Sequence, residues 1–513
     1  MAATTAALVL FIGCKDDDPL IVESLEDLVD GGISYTVNPS GIAPLTAMAT
    51  FEAKAPCAVK VEVLGDIPVN HDFEAFSLDH EIAVLGLYPG TENKVVLTLE
   101  TEDGQVVQDT QTLTTTALPD DMPTIEVQVA NAAMMEPGMN LSGLSLANNG
   151  RFKSQHIVFD NNGDVRWYLD LSELDRLAFP IKRLVNGNIG AMYLHELIEY
   201  DLMGRKVNSW STDGYAYHHE FLELPNGNFI IAVDKDGVTI FNGTETVSSP
   251  EDHIIEIDRT TGAIVREWDF RQILDVDRYD VVDGSGGDWF HMNAIFYDES
   301  DNTLIVSGRN QGVVKVTMEN ELVWILAAHQ GWGAAGEMGE GAETSPYLLT
   351  AVDAGGNAYA QDVQDGTTAA SDFDWTWGQH APMLLPNGNV FVFDNGLNRN
   401  FVGAGPYSRG VEYQVNAGDM TVQQIWQYGK ERGAELFSPI ISDVDHLAET
   451  GNRLFMPGTI NYDNAHYAKL VEVTYPDKTV VFEASLTFKD VNGNGNGWGE
   501  IDLVYRSQRM ELY

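Results

Sequence analysis

Short runs of alternating hydrophobic and polar residues make up most of the chain, and this period of two predicts β-strands rather than helices. After Pro119 one unit recurs six times: a strand, a turn with Asp or Gly, and a strand that carries an aromatic residue. The aromatic positions are Trp167, Trp210, Trp268, Trp324, Trp426 and Phe482. Such repeats predict a six-bladed β-propeller, which closes on itself and leaves few exposed strand edges.

The spacing of these aromatic residues fits one four-stranded blade per repeat, except between Trp324 and Trp426, where an insertion is needed. The Gly- and Ala-rich stretch 331–370 accounts for the excess. We predict that it forms a long loop over one face of the propeller.

A smaller β-rich segment precedes the repeats, from about residue 33 to 118. Its turn Leu85–Thr91 leads into the strand-like run Val95–Leu99, as in fibronectin type III and immunoglobulin-like sandwiches. We therefore predict an all-β chain in two parts. A β-sandwich over 33–118 serves as a spacer or dimer-forming module, and the propeller over 119–513 holds the chemistry.

Three histidines share one position relative to the turns of the repeats. His219 and His380 each stand five residues before a Leu-Pro-Asn-Gly-Asn sequence, and His291 fits the same register ahead of the longer turn Asp298–Asn302. Such turns join two antiparallel strands. If the strand that carries each histidine is the innermost one of its blade, all three side chains point near the propeller axis.

The strand after each turn carries positively charged or titratable residues at a matching position. Seven residues beyond the turn Asn, three repeats have His195, Lys235 and Arg309, and two others have Gly396 and Thr459. The blade symmetry therefore predicts that the three histidines meet cationic groups, so that an anion could bind there.

The net charge of the whole chain has the opposite sign. With 29 Lys+Arg against 77 Asp+Glu, the formal charge is −48, which excludes nucleic acids and anionic membrane surfaces as main partners. The hydrophobic content of 44% is too high for a disordered chain, so the acidic residues must lie on the surface. Such a surface suits high salt or the space outside the cytoplasm.

The first residues have the features of an export signal. The apolar run Ala6–Gly13 is too short to span a bilayer and ends at Cys14, as in bacterial lipoprotein signals. We expect residues 1–14 to be this signal, Cys14 to carry lipid, and residues 15–32 to be an acidic linker. The protein would then be a periplasmic or cell-surface lipoprotein, tethered to the membrane only by its lipid. An ordinary signal peptide is the alternative. A lipidated Cys14 leaves Cys57 without an intrachain disulfide partner.

Three interpretations of the histidines remain open at this point. Three imidazoles and a water would suit catalytic zinc, although a cation such as Arg309 beside a metal is unfavourable. The rings could instead be structural and bond between blades. In the third interpretation, a neutral imidazole is the nucleophile in the transfer of a sulfuryl or phosphoryl group, and the cations neutralise charge on its oxygens.

Several segments around these residues carry a family resemblance. They are Asp372–His380 with Leu385–Asn389, Phe393–Gly396, His291–Asn293 with Arg309, Trp498–Glu500, Tyr505–Arg506 and Leu512–Tyr513. Here the chain resembles the bacterial aryl-sulfate sulfotransferases. The resemblance implies an enzyme that needs no cofactor and no 3′-phosphoadenylyl sulfate. It would take a sulfuryl group from a phenolic sulfate ester and give it to another phenol. A homodimer is also suggested.

The resemblance also implies a role for each matching residue. His380 would be the nucleophile that becomes sulfohistidine in a ping-pong reaction, and His219 the general acid/base. The sulfuryl oxygens would be held by His291, Asn293 and Arg309. His218 competes for the role of His219, but only His219 shares the register of His380. The cysteine pair that some family members have in the propeller is missing.

Two smaller features have simple alternatives. Trp375 and Trp377 flank His380 and could form aromatic walls of a phenol site, or could pack inside a blade. The series of Asp490, Asn492, Asn494 and Asn496 resembles the start of a calcium loop. Ile501 stands where a bidentate Glu would be needed, so a Gly-rich turn is favoured over calcium.

Two other functions stay open besides sulfuryl transfer. A propeller tethered at the cell surface could bind a glycan or protein without catalysis, with structural histidines. An aryl sulfate hydrolase would use water instead of a phenol to resolve the sulfo-enzyme.

The charge of −48 leads to a prediction about salt, because a field of this sign repels an anionic aryl sulfate until salt screens it. We expect the apparent Michaelis constant for 4-nitrophenyl sulfate to fall as ionic strength rises. Initial rates across a salt titration at fixed pH measure this dependence. A Michaelis constant that stays flat or rises would contradict the expectation.

Overall fold

A computed structural model describes residues 21–148, 151–242, 244–278, 287–337, 339–403, 405, 407–489 and 501–513. These residues divide into two compact units, of which the first lies within 21–36, 47–84 and 92–113 and the second within 37–46, 85–91 and 114–513. Cys14, the series from Asp490 to Asn496 and the segment Trp498–Glu500 lie outside the described residues.

The first unit is a five-stranded antiparallel sheet preceded by the short helix α1 (Leu25–Leu28). Its strands are β1 (Val29–Val37), β2 (Ala47–Val63), β3 (Val69–Val84), β4 (Glu92–Thr101) and β5 (Val106–Thr114). The pairing order is β1-β2-β4-β5, with β3 on β2. Alternate residues of β2 and β4 are buried, as expected for a sheet with one face on a core. Cys57 on β2 is a buried free thiol.

Strands are the main regular elements in the described part of the second unit. They are β6 (Thr124–Ala130), β7 (Met139–Asn148), β8 (Arg151–Phe159), β9 (Val165–Asp170), β10 (Ile181–Arg183), β11 (Ile189–Tyr193), β12 (Glu196–Tyr200), β13 (Lys206–Trp210), β14 (Tyr215–Glu223), β15 (Phe229–Lys235), β16 (Thr239–Phe241), β17 (Thr246–Ser248), β18 (His253–Ile257), β19 (Ile264–Asp269), β20 (Met292–Asp298), β21 (Thr303–Gly308), β22 (Gly312–Thr317), β23 (Leu322–Leu326), β24 (Thr350–Ala351), β25 (His380–Leu384), β26 (Val390–Asp394), β27 (Arg409–Asn416), β28 (Thr421–Tyr428), β29 (Asp443–His446), β30 (Arg453–Met456), β31 (Ile460–Tyr462), β32 (Ala465–Val473), β33 (Val480–Thr487) and β34 (Ile501–Met510).

The helices in the described part of this unit are short. They are α2 (Gln361–Gln364) and the 3₁₀ helices Ser172–Leu174, Phe270–Gln272, Ser345–Tyr347, Arg399–Phe401 and Lys430–Leu436. No helix in the described part of the chain has the length and apolar character needed to cross a membrane.

Six antiparallel sheets of four or more strands form among these residues. Their orders are β34-β7-β8-β9, β10-β11-β12-β13, β14-β15-β18-β19, β20-β21-β22-β23, β25-β26-β27-β28 and β29-β30-β32-β33-β6. The first strands of the sheets lie in a closed ring, since β14 contacts β20, β20 contacts β25, β25 contacts β29, β29 contacts β34, and β34 contacts β10, while β11 contacts β14. This ring is the architecture of a β-propeller, so the prediction of an all-β propeller is confirmed.

The ring is closed by strands from both ends of the unit. β34 comes last in the sequence but is the first strand of the first sheet, where it pairs with β7. β6 comes early in the sequence but pairs with β33 at the outer edge of the last sheet. The first and last sheets therefore each combine strands that are far apart in the chain, and neither is complete without a strand from the other end.

The repeated aromatic residues all lie on the fourth strand of a sheet and are buried. Four indole N–H groups donate to a backbone oxygen in the next sheet: Trp167 to Leu202, Trp210 to Arg259, Trp268 to Thr317 and Trp426 to Pro476. The repeat thus serves the packing of neighbouring sheets.

The Asn-containing turns lie where the sequence places them, between the first and second strands of a sheet. Leu224–Asn228 joins β14 to β15, and Leu385–Asn389 joins β25 to β26. The last Asn of the turn donates its amide to a glutamate on the third strand in four sheets: Asn188 to Glu199, Asn228 to Glu256, Asn389 to Glu412 and Asn452 to Glu472. These bonds fix each turn to its own sheet.

The insertion between Trp324 and Trp426 differs from the single long loop that we predicted. Within it, β24 pairs in parallel with β28 and extends the outer edge of the fifth sheet. The helix α2 and the 3₁₀ helix Ser345–Tyr347 also belong to it. Backbone groups of the insertion therefore find partners in the sheet and in these helical turns.

The aromatic repeat yields a stability prediction at Trp268, which is fully buried and donates to Thr317. Trp268→Phe should cost about 1 kcal/mol because it removes mainly the hydrogen bond, while Trp268→Ala should cost roughly 3–5 kcal/mol because it also opens a cavity. Denaturant unfolding followed by intrinsic fluorescence measures both. Val185→Ala, at a position that is 90% exposed, is the control and should change stability little. Equal midpoints for Trp268→Ala and the control would contradict the packing role.

Candidate active site

Four first strands meet at one place, and each has an irregularity in its pairing there. The register with the neighbouring strand breaks between Tyr217 and Phe221 in β14, between Met292 and Ala294 in β20, between His380 and Met383 in β25, and between Val504 and Ser507 in β34. A β-bulge of this kind turns a side chain away from the regular alternation of a strand. In or beside these bulges lie His219, His291, His380, Tyr505 and Arg506.

Two of the histidines have an uncommon backbone conformation. His219 and His291 both have a φ of 54°, in the left-handed region that non-glycine residues rarely adopt. In β25 the corresponding conformation falls on Ala381, one residue after His380. The three histidines therefore share a register in the sequence but not a single backbone geometry.

His380 is almost completely buried and its ring is held by two oxygen atoms. Its Nδ1 lies 2.8 Å from Oδ1 of Asn395 and 3.1 Å from the carbonyl oxygen of Gly378. The amide nitrogen of Asn395 donates to the carbonyl oxygens of Ser438 and Ile441, which leaves Oδ1 to face the imidazole. Because both neighbours of Nδ1 accept, Nδ1 carries the hydrogen and Nε2 carries the lone pair.

The charge state of His380 follows from its surroundings. Burial, together with the positive charges of Arg309 and Arg506, holds the pKa of His380 well below its ordinary value of 6.5. The imidazole is therefore neutral at neutral pH. A neutral ring with a bare Nε2 can act as a nucleophile.

His219 and His291 lie next to each other, with ring centroids 5.2 Å apart. Nδ1 of His219 is 3.0 Å from the hydroxyl of Tyr505, and that hydroxyl donates to the carbonyl oxygen of His219. Glu251, from the connection between β17 and β18, stands between the rings: Oε1 is 3.2 Å from Nε2 of His219, and Oε2 is 2.9 Å from Nδ1 of His291. Oδ2 of Asp288 is 2.7 Å from the same Nδ1 of His291.

These carboxylates change the protonation of His291. Burial alone would lower its pKa, but Glu251 and Asp288 outweigh burial and raise the pKa to about 9. His291 is therefore cationic at neutral pH, in contrast to His380.

Two arginines supply fixed positive charge. The backbone N–H of Arg309 donates to the carbonyl oxygen of His291, and its Nε is buried without a hydrogen-bond partner in the described part of the chain. Arg506 donates to the carbonyl oxygen of Asn293 and forms ion pairs with Glu220 and Asp443. A guanidinium keeps its charge at any ordinary pH.

Asn293 is buried and lies between the fourth and fifth sheets. Its Nδ2 donates to the carbonyl oxygen of Gln379, next to His380, at 2.8 Å. Its Oδ1 is buried and has no hydrogen-bond partner among the residues that the structure describes. The side chain therefore links β20 to the segment that positions His380.

A cavity of about 540 Å³ opens beside His218, His219 and Glu251. Most of its other lining is aromatic or aliphatic: Phe152, Leu177, Phe179, Met192, Tyr193, Leu194 and Tyr217. Phe179 also stacks on Tyr505, with ring centroids 4.3 Å apart. The cavity can hold an aromatic group against the histidine cluster.

The structure brings most of the predicted site residues together, but not all of them. Lys235 is paired with Glu267 and His195 is exposed, so the positions seven residues past the turn supply only Arg309 to the site. Trp375 and Trp377 are buried in the apolar cluster of the fifth sheet, where their rings pack rather than line the cavity. This placement is the packing role that we considered for them.

Several site residues were missed by the sequence reasoning. Glu251 and Asp288 lie in connections between strands, where the repeat pattern assigns no register. Asn395, Tyr505 and Arg506 stand in segments that carried the family resemblance, but nothing in their spacing indicated their contacts.

Two groups of side chains have the composition and closeness of metal ligands. They are His218 with His219 and Glu251, and Glu251 with Asp288 and His291. Both groups include Glu251, which lies between the imidazoles of His219 and His291. Positive charge on a protonated imidazole can therefore stabilise these carboxylates in place of a metal ion.

The closed ring of antiparallel sheets defines a β-propeller protein. Its site holds a neutral, oriented imidazole beside fixed positive charges and is therefore suited to chemistry on an anion. The chain belongs to the arylsulfotransferase family. The family model for arylsulfotransferase (ASST) matches residues 126–495, and the model for the arylsulfotransferase Ig-like domain matches residues 34–116. The predicted family resemblance and the Ig-like character of the first unit are confirmed.

Two curated relatives are similar over most of their length. The arylsulfate sulfotransferase AssT of Escherichia coli is 27% identical over 87% of this chain and 89% of its own. That of Lelliottia amnigena is 27% identical over 88% of this chain and 89% of its own. Among solved structures, a protein of unknown function from Bacteroides caccae is 16% identical over 53% of this chain and 94% of its own, with a TM-score of 0.25, too low to support a conclusion.

The geometry around His380 predicts its tautomer and charge. In protein labelled with ¹⁵N-histidine, the signals that disappear in His380→Asn should show a hydrogen on Nδ1 and none on Nε2. Because the pKa is lowered, the ring should stay neutral at pH 6 and become protonated only at much lower pH. An imidazolium at pH 6, or a hydrogen on Nε2, would contradict the assignment.

Proposed function

We propose that the protein transfers a sulfuryl group from a phenolic sulfate ester to an acceptor phenol in a ping-pong reaction, with His380 as the nucleophile. The observation that carries the proposal is the state of His380: its Nδ1 is occupied by Asn395 and Gly378, its ring is neutral, and arginines lie close enough to depress its pKa. Membership of the arylsulfotransferase family supports the reaction type.

In the first half of the reaction, the lone pair of Nε2 of His380 attacks sulfur. The bond between sulfur and the phenolic oxygen breaks, and its electron pair stays on that oxygen. His219 gives a proton to the departing phenolate, assisted by the hydroxyl of Tyr505 at 3.0 Å. A phenol with a pKa near ~10 is a tolerable leaving group, so this proton transfer can be partial.

The second half reverses these steps with a different phenol. The acceptor hydroxyl loses its proton to His219, its oxygen attacks sulfur, and the bond from sulfur to Nε2 breaks with return of the electron pair to nitrogen. His380 is thereby neutral again. Positive charge on His291, Arg309 and Arg506 offsets the negative charge of the sulfuryl oxygens in both halves.

The aryl groups are proposed to bind in the cavity beside His219. Its volume of about 540 Å³ and its Phe and Tyr lining fit flat, apolar rings.

The reaction would need no 3′-phosphoadenylyl sulfate and no cofactor. We also propose that the protein is exported as a lipoprotein through Cys14 and assembles as a homodimer. Calcium at Asp490–Asn496 stays the less favoured alternative to a turn.

One assay separates this function from its alternatives. The protein is mixed with 4-nitrophenyl sulfate, with and without an acceptor phenol. Release of nitrophenol that depends on the acceptor indicates transfer, release without acceptor indicates hydrolysis, and no release in either case indicates a binding protein.

His380→Asn should lower acceptor-dependent release by at least ~10³-fold, because it removes the nucleophile but leaves the fold intact. The wild-type protein mixed with donor alone should gain the mass of one sulfuryl group on the peptide that contains His380. The control is His71→Asn, the same change in the first unit, which should retain activity. Activity retained by His380→Asn would contradict the assignment of the nucleophile.

A further inference from the structure

Two carboxylates converge on one imidazole nitrogen at the site. Oδ2 of Asp288 is 2.7 Å and Oε2 of Glu251 is 2.9 Å from Nδ1 of His291. One oxygen of each carboxylate lies within 4.8 Å of the other. The side chain of Glu251 is 19% exposed and that of Asp288 is 40% exposed. Two negative charges this close together repel each other unless a positive charge lies between them. In a site that binds an anion, such a pair needs a specific explanation.

We propose that Glu251 and Asp288 are positioning residues that keep His291 as an imidazolium, so that it presents a hydrogen on Nε2 to the sulfuryl group. This inference rests on the proposed function. The two acids act on the substrate only indirectly, through His291.

The two ring nitrogens of His291 have different roles. Nδ1 of His291 faces carboxylate oxygens, which only accept, so Nδ1 carries a hydrogen in either charge state. The charge state therefore decides what Nε2 does. In the imidazolium Nε2 has a hydrogen and can donate to a sulfuryl oxygen. In the neutral ring Nε2 has a lone pair, which would repel that oxygen.

Titratable and charged residues lie next to His291. Glu251 comes from the connection before β18, Asp288 from the segment before β20, and His219 from β14. Arg309, the residue after β21, donates its backbone N–H to the carbonyl oxygen of His291, and its positive charge interacts with Asp288 and Glu251. Burial favours the neutral ring of His291, and the two carboxylates favour the cation. The carboxylates are in direct contact with Nδ1, and the resulting pKa of about 9 reflects their dominance.

Hydrogen bonds fix the backbone of both residues that carry the carboxylates. The N–H of Met292 donates to the carbonyl oxygen of Glu251 at 2.9 Å, and the N–H of Glu251 donates to Asp234 at 2.6 Å. The side chain of Asn310 donates to the carbonyl oxygen of Asp288 at 2.7 Å.

A second network joins the two segments that carry the carboxylates. The indole of Trp289, next to Asp288, donates to Ser249 at 3.0 Å and to Asp252 at 3.2 Å, on either side of Glu251. Ser249 and Asp252 are also hydrogen-bonded to each other. The two segments that carry the acids are therefore fixed to each other by hydrogen bonds.

The test uses the isosteric variants Asp288→Asn and Glu251→Gln. The measured quantity is kcat/KM for the donor ester from pH 5 to 10, which in a ping-pong reaction does not depend on the acceptor. The wild-type value should fall as pH rises through about 9, since the cation is lost there. In Asp288→Asn this limb should move to lower pH. Relative to the wild type, the variant should lose about tenfold at pH 8 and less than about twofold at pH 6.

The control is Asp301→Asn, the same change at an acid that pairs with Lys315 on the fourth sheet. It should leave the pH profile unchanged. A loss in Asp288→Asn that is equal at every pH would indicate a merely structural role and would overturn the proposal.

A direct titration of His291 separates this inference from the proposed function. In ¹⁵N-histidine-labelled protein, the signals lost in His291→Gln should titrate near pH 9 in the wild type and lower in Asp288→Asn. This readout needs no activity, so it stands even if the protein transfers no sulfuryl group. The samples are first treated with EDTA. If EDTA changes the titration, the carboxylates hold a metal ion instead of a proton, and the proposal is wrong.

Discussion

The site depends on the closure of the ring by β34. This strand comes from the end of the sequence, pairs with β7 as the first strand of the first sheet, and contacts β29 of the last. It carries Tyr505, whose hydroxyl meets His219, and Arg506, which donates to the carbonyl of Asn293. The same pairing that joins the ends of the propeller therefore completes the site, so that a partly closed ring would lack one cation and the partner of His219.

Regular strands could not supply this arrangement, because their side chains alternate strictly between two faces. The bulges in β14, β20, β25 and β34 break that alternation at the level of the site. His219 and His291 also adopt positive φ values, a conformation that costs free energy for a residue with a side chain. Hydrogen bonds to the carbonyl oxygens of both residues, from Tyr505 and from the N–H of Arg309, stabilise these conformations.

Periodic features of the sequence predicted the framework well, because burial and turn chemistry act on single strands. The aromatic repeat placed each fourth strand, and the Asn-Gly turns placed the first two. The prediction from blade symmetry was wrong for two residues that match Arg309 in position. Lys235 pairs with Glu267, and His195 is exposed. Glu251 and Asp288 lie in connections whose paths depend on Trp289 and its partners, and no local pattern specifies such a path.

The decisive property of the site is that two residues of the same type hold opposite charge states. His380 faces the amide oxygen of Asn395, a neutral acceptor, and feels nearby arginines, so it stays neutral. His291 faces the carboxylates of Glu251 and Asp288, so it stays protonated. Separated pKa values assign the lone pair to one ring and the positive charge to the other. The local partners determine this division, and the charge of −48 on the chain as a whole does not.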